Sequence, residues 1–142
     1  MTTADFLIKG ASLPDGKKAD ISITNGVIAS VNSGFKGEAH TLIDGKDCVV
    51  LPGLVDLHTH LREPGREDAE TVLSGSSAGV KGGFTAVSAM ANTSPVADTA
   101  GVVEQVYRLG QEAGLLDVFP IGAVTEGLKG ESLSEIGAMA DS

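Results

Sequence analysis

The sequence predicts an α/β chain in which a small antiparallel β module precedes three βα units feeding a parallel sheet. Three observations carry this reading. Turn dipeptides punctuate residues 1–53 at short spacing, the hydrophobic period changes at Leu54, and nineteen glycines accompany only four Phe, one Tyr and no Trp. Such a composition suits tight turns around a core of Val, Ile, Leu and Ala better than it suits a helical bundle.

Taken in order, Phe6-Leu7-Ile8 is followed by Pro14-Asp15-Gly16, a turn signal because Pro presets φ and Gly accepts positive φ. Ile21 and Ile23 then alternate with Ser22 and Thr24, Asn25-Gly26 intervenes, and Val27 to Val31 returns. A two-residue type I′ turn needs positive φ at both central positions, so this is the strongest hairpin signal in the chain. Asp44-Gly45 marks another turn before Cys48-Val49-Val50-Leu51, and Pro52-Gly53 closes the module, expected to span residues 1–53.

From Leu54 apolar runs alternate with helical stretches, the pattern of βα units. Strand Leu54–His60 leads to a helix over about Glu67–Lys81, acidic in its first turn and stopped by Gly82-Gly83. Strand Phe84–Met90 precedes a helix over about Thr99–Ala113 with Val102, Val103, Val106, Tyr107 and Gly110 on one face and Gly114 at its end. Strand Val118–Val124 follows, and Ser132-Leu133-Ser134-Glu135 has the form of a capping box opening a third helix. An eight-unit barrel uses about 31 residues per βα unit, so residues 54–142 amount to three units. Three units cannot close a barrel, and an open three-stranded sheet leaves two unpaired edges. A portion of a longer (β/α)₈ TIM-type barrel is therefore expected, the alternative being a small, complete, open domain of three strands.

Composition narrows function. Nineteen acidic against ten basic residues give a net charge of −9 with no basic run, which argues against binding nucleic acid or an anionic membrane. No stretch approaches the roughly 18 apolar residues of a membrane span, and the start lacks the basic and apolar regions of a signal peptide. The single cysteine, Cys48, cannot form an intrachain bridge, so a cytoplasmic location is expected. It reads as a small buried hydrophobe, and His40 reads as solvated.

The chemistry concentrates in Pro52–Gly65. Side chains alternate along a strand, so Asp56, His58 and His60 face one way, with Cα atoms of the two histidines about 6.6 Å apart. Both rings can then converge on one Zn²⁺, although hydrolytic zinc normally takes three protein ligands plus water. The bland alternative is two polar residues on a surface strand; the apolar Leu54, Val55 and Leu57 around them favour burial instead. Arg62 keeps phase with His60 if the strand extends, at the carboxyl end where barrel active sites gather, and its planar fork suits a carboxylate. Asn92 lies just past the second strand, as a ligand contact or as a turn residue leading to Pro95. No P-loop, nucleophile elbow or CxxC pair is present.

The segments PGLVDLHTHLREPG, MANTSPV and GAVTEGLKGESLSEIGAMADS together resemble the amino-terminal third of bacterial type I dihydroorotases, of the amidohydrolase superfamily. Pro-Gly-x-x-Asp-x-His-x-His is shared with hydantoinases and allantoinases; Leu61-Arg62-Glu63-Pro64-Gly65 directly after it is the specific part. The resemblance implies a (β/α)₈ barrel with a small β-sandwich built from both chain termini, residues 1–53 supplying its amino-terminal part and residues 54–142 opening the barrel. It implies His58 and His60 as ligands to one or two zinc ions, and Arg62 and Asn92 as contacts to the substrate carboxylate. The further ligands and the proton-shuttling aspartate are expected beyond Ser142. The implied reaction is the reversible, zinc-dependent cyclisation of N-carbamoyl-L-aspartate to L-dihydroorotate in pyrimidine synthesis. A net charge of −9 repels such an anion, so a local arginine is needed to hold it. A homo-oligomer is expected, with aspartate transcarbamoylase as a possible partner. Two alternatives stay open: another cyclic-amide hydrolase, whose neutral hydantoin would give Arg62 no carboxylate, and a catalytically silent subunit supporting the transcarbamoylase. The sequence departs from the family at Ala91, where Pro usually precedes Asn-Thr, and a looser loop is expected there.

Overall fold

In a computed structural model that describes residues 3–142, the chain falls into two compact units, the first ending at Pro52 and the second spanning Gly53–Ser142. The first unit contains strands β1 (Thr3–Ser12), β2 (Lys18–Thr24), β3 (Val27–Asn32) and β4 (Glu38–Asp44), in the sheet order β3-β2-β1-β4. The Asn25-Gly26 turn forms as its chemistry demands, with φ of 52° and 73°, and pairs Thr24 with Val27. The Pro14-Asp15-Gly16 turn also forms, closed by the Gly16 N–H on the Leu13 carbonyl at 2.8 Å.

The module is not wholly antiparallel as expected. β4 runs parallel to β1, with Thr3 opposite Glu38 and Lys9 opposite Asp44. Between β3 and β4 no tight hairpin forms, since the two strands do not pair. Instead, Asp20 accepts the N–H groups of Gly34 (3.1 Å) and Phe35 (2.9 Å) through Oδ2 and that of Gly10 (2.9 Å) through Oδ1. Parallel neighbours need a long crossover; here the whole β2–β3 hairpin and residues 33–37 supply it, and β4 joins the free edge of β1 rather than that of β3. Cys48 is exposed rather than buried: it lies outside the strands, tied by its backbone to Ser12 and Gly45. His40 is exposed on β4, as expected.

In the second unit a parallel sheet of order β5-β6-β7 is formed by β5 (Leu54–Thr59), β6 (Phe84–Ala89) and β7 (Asp117–Pro120). Helix α1 (Val72–Lys81) links the first two strands and α2 (Ala100–Ala113) the second two. The helices pack on each other and on the sheet. Val72, Val106 and Val118 are fully buried, each such side chain stabilising the fold by about 1.5–3 kcal/mol. α2 lies so close to β7 that a Cβ on Gly110 would come within 2.6 Å of the Val118 Cβ. Of the face expected for this helix, Val103, Val106 and Gly110 are buried while Tyr107 stays largely exposed. Gly114 ends it in the left-handed conformation.

Two helix starts differ from expectation. α1 begins at Val72, not Glu67. Thr71 Oγ1 accepts the Ser74 N–H and Ser74 Oγ accepts the Thr71 N–H, a reciprocal cap the acidic run obscured. Glu67 instead folds back to accept the Gly65 N–H, which holds its carboxyl below the usual range. The proposed box at Ser132–Glu135 does not form either. Leu133 bridges to Thr125, the Ser134 hydroxyl donates to the Ala123 carbonyl, and Glu135 donates its N–H to Asp98. Those longer-range bonds use up the capping groups, and helix α3 is confined to Ile136–Ala140. The segment before it carries a single 3₁₀ turn, Glu126–Leu128.

Candidate metal centre

His58 is on β5 and His60 directly follows that strand's last residue, Thr59. Their rings nevertheless come together, with centroids 5.1 Å apart in an edge-to-face arrangement. Asp56, in phase with them, turns back to accept the His58 N–H at 2.9 Å and so stiffens the strand. His58 is exposed and His60 half-buried. The burial expected from the apolar neighbours is absent: β5 is an edge strand, the helices pack on β6 and β7 rather than on it, and Leu54, Val55 and Leu57 are exposed.

The second strand brings Asn92 to the same place. The Met90 N–H donates to the Thr59 carbonyl at 2.8 Å, continuing the β5–β6 ladder past the strand ends, and Asn92 Oδ1 lies 2.7 Å from His60 Nδ1. Asn92 is thus more than a turn residue. The loop that carries it is tied down at Ala91, the position where a looser loop is expected. That alanine is buried against Ala97, Val103 and Ala123, and its carbonyl accepts the Ala97 N–H at 3.0 Å.

Arg62 does not keep strand phase with His60. The strand ends at Thr59, the Glu63 N–H closes on the Leu61 carbonyl at 2.8 Å, and Arg62 between them takes φ 63°. A positive φ on a long side chain is uncommon and concentrates at functional positions. Its guanidinium is exposed and makes no ion pair among the described residues, so it is free to meet a ligand.

Sequence reasoning missed the residues that hold this loop. Glu63 Oε2 accepts the Val72 N–H at 2.7 Å, placing a carboxylate at the positive end of α1. The Ser94 N–H donates to the Pro64 carbonyl at 2.9 Å, and Gly65 packs against Ser94. Leu61, between His60 and Arg62, is buried in the main core cluster. An apolar residue between polar ones was the available signal for this anchor; the bonds from Glu63 and Ser94 leave none in the local sequence.

The two imidazoles fit a borderline metal such as Zn²⁺. Imidazole nitrogen is a donor that such an ion takes, the two rings share one side of the strand end, and Asn92 engages His60 Nδ1, which leaves Nε2 for a ligand. Among the described residues no cluster of three or more His, Cys, Asp or Glu completes the coordination. Concave sites occur at other places in the unit, and one includes Glu63 beside Arg62. Another, of about 300 Å³, lined by Thr85, Gly110 and Asp117, sits at the amino ends of the strands. Among the described residues no helix is long and apolar enough to cross a membrane.

A family model described as dihydro-orotase-like matches residues 47–142. The chain is 58% identical over 136 residues to the dihydroorotase of Streptomyces coelicolor, covering 96% of this chain and 32% of that protein. To the dihydroorotase of Leifsonia xyli subsp. xyli it is 57% identical over 142 residues, covering 100% of this chain and 32% of the relative. Among solved structures, the L-hydantoinase (dihydropyrimidinase) from Arthrobacter aurescens is similar with a TM-score of 0.76 and 25% identity, over 97% of this chain and 31% of that one. The chain thus spans about a third of the length of these relatives.

Proposed function

The chain belongs to the dihydro-orotase-like family, and from that premise we propose that it is the amino-terminal portion of a dihydroorotase. The enzyme would interconvert N-carbamoyl-L-aspartate and L-dihydroorotate for pyrimidine synthesis in the cytoplasm. In this reading the second unit opens a (β/α)₈ barrel, and residues 1–53 are part of a β-sandwich. The observation that carries it is the meeting of His58 and His60 at the carboxyl end of β5, 5.1 Å between ring centroids, with Arg62 two residues beyond.

His58 and His60 would hold zinc. Bound there, one or two ions would polarise the ring amide carbonyl and activate water for its hydrolysis. Arg62, exposed and without an ion-pair partner among the described residues, offers a two-pronged donor to the substrate carboxylate. The Asn92 amide lies beside the same end of the sheet and would add a hydrogen bond to that carboxylate. The remaining ligands and the proton-shuttling carboxylate are not assigned to residues of this chain. A homo-oligomer and association with an aspartate transcarbamoylase belong to the same reading and rest on the family resemblance alone. Another cyclic-amide hydrolase is the second reading, favoured by the likeness to L-hydantoinase.

Changing His58 and His60 together to Ala in the whole enzyme should remove most of its zinc and its turnover. Full zinc content with normal turnover would overturn the assignment. Arg62 separates the two readings. Arg62→Lys keeps the charge but loses the fork, costing roughly 1.5–3 kcal/mol, on the order of 10- to 150-fold in kcat/KM. Arg62→Met should slow dihydroorotate far more than an uncharged analogue lacking the carboxylate. Equal slowing of both would make Arg62 structural and favour the hydantoin reading. The 142-residue chain assayed alone should show no turnover, since this reading assigns only two ligands and no proton shuttle to its described residues.

A further inference from the structure

We infer that Asn92 is a positioning residue that sets the tautomer of His60 and so aims its Nε2 lone pair at the metal. The inference rests on the metal reading above and adds a role for Asn92 beyond contact with substrate. A neutral imidazole has one N–H and one lone pair, and only the lone-pair nitrogen can ligate. Asn92 presents its carbonyl oxygen, an acceptor only, 2.7 Å from His60 Nδ1. In a neutral ring this contact places the proton on Nδ1 and leaves the lone pair on Nε2. Without such a partner His60 could place its proton on either nitrogen, and every molecule with the proton on Nε2 would have to exchange it before binding metal.

The backbone around Asn92 is built to hold this geometry. Ala91, just before it, is buried, and its carbonyl accepts the Ala97 N–H at 3.0 Å. On the other side the Ser94 N–H is fastened to the Pro64 carbonyl at 2.9 Å. The Met90 to Thr59 bond fixes the register of Asn92 against His60. A side chain serving only as a substrate contact would gain nothing from an acceptor spent on a histidine. Because Oδ1 is engaged, the Asn92 NH₂ remains for the carboxylate, and the two roles use different atoms.

Those separate atoms make the roles separable. In the whole enzyme, Asn92→Ala should weaken zinc affinity, measured by competition with a chelating indicator, by about 10- to 100-fold, the usual effect of removing a hydrogen-bond partner behind a histidine ligand. Asn92→Asp keeps an acceptor for Nδ1 and loses the amide NH₂, so it should hold zinc at least as tightly as the parent while its KM for dihydroorotate rises. In the metal-free protein, nitrogen-15 spectra should show His60 as the Nδ1–H form, and Asn92→Ala should shift it toward Nε2–H.

Zinc affinity unchanged within threefold in Asn92→Ala, or His60 with its proton on Nε2 in the parent protein, would overturn the proposal. Failure of the metal reading is recognised separately, by His60→Ala binding zinc as the parent does. If His60→Ala does so while the tautomer still follows Asn92, Asn92 orients a histidine that is no ligand, and the positioning role is lost as well.

Discussion

Each of the two units contains a connection that must turn back sharply, and each holds it by a different kind of force. In the first, the segment after β3 is gathered by one buried carboxylate, Asp20, which takes N–H groups from Gly10, Gly34 and Phe35. In the second, the loops after β5 and β6 hold one another, through Ser94 N–H on the Pro64 carbonyl, His60 on Asn92, and Gly65 against Ser94. The first arrangement depends on a charge and is exposed to pH. The second depends on close approach and is exposed to volume. Structural connections can rely on either, but a site whose groups must stay within tenths of an ångström is better served by the second.

The largest effect should come from adding one methyl to the second arrangement. A Cβ on Gly65 would overlap the Ser94 carbonyl oxygen, at a backbone φ of +104°. Overpacking and left-handed strain together put Gly65→Ala at roughly 2–4 kcal/mol. Gly130 has φ +75° and open space where a Cβ would go, so Gly130→Ala isolates the backbone part and should cost distinctly less. Denaturant unfolding of both variants checks the difference. Equal losses would mean that the Gly65 contact relaxes and the two loops are not sterically interlocked.

A smaller loss, with a pH signature, should follow from Asp20→Asn. The Phe35 N–H first, then that of Gly10, holds the Asp20 carboxyl below its ordinary value. Stability from a depressed carboxyl is complete above the unfolded value near ~3.9 and disappears as pH falls through the lower folded value. At neutral pH Asp20→Asn should cost roughly 1.5–3 kcal/mol, the range for a hydrogen bond to a charged group. The gap between the two proteins should close as the solution is acidified below about pH 4. A gap that stays constant with pH would show that shape, not charge, holds this connection.

The same contrast explains what could be read from the sequence. Asn25-Gly26, the Gly114 helix end and the shared side of His58 and His60 follow from local chemistry, and each could be read residue by residue. Asp20 has partners ten, fourteen and fifteen residues away, and nothing near it in sequence marks it as an anchor. The parallel placement of β4 depends on which edge is free after three strands have paired, a global property. At the candidate site, residue identities were legible but not their supports. The Asn92 to His60 bond requires two strand ends to be brought together first, and the left-handed Arg62 and the Glu63 carboxylate on α1 depend on how the chain after β5 folds back onto the helix. Where local signals competed with such bonds, the longer-range bonds won, as at Ser132–Glu135.

The smallest effect tests that competition at the start of α1, where a local cap and a long-range one meet. Thr71 satisfies the Ser74 N–H from within the helix, and Glu63 satisfies the Val72 N–H from the loop. Thr71→Ala should cost about 1 kcal/mol, the usual loss for a side-chain cap, and faster hydrogen exchange should be confined to the first turn. Glu63→Ala should cost about as much but also raise exchange at Arg66, whose N–H donates to the Arg62 carbonyl. Once Thr71 is gone the first turn frays, Val72 no longer holds its N–H in place for Glu63, and part of the second loss has already been taken. The double variant should therefore fall short of the sum by about 0.5 kcal/mol, the lower end for interacting neighbours. Strict additivity would mean that the loop and the helix are anchored independently, and that the Arg62 turn owes nothing to the helix cap.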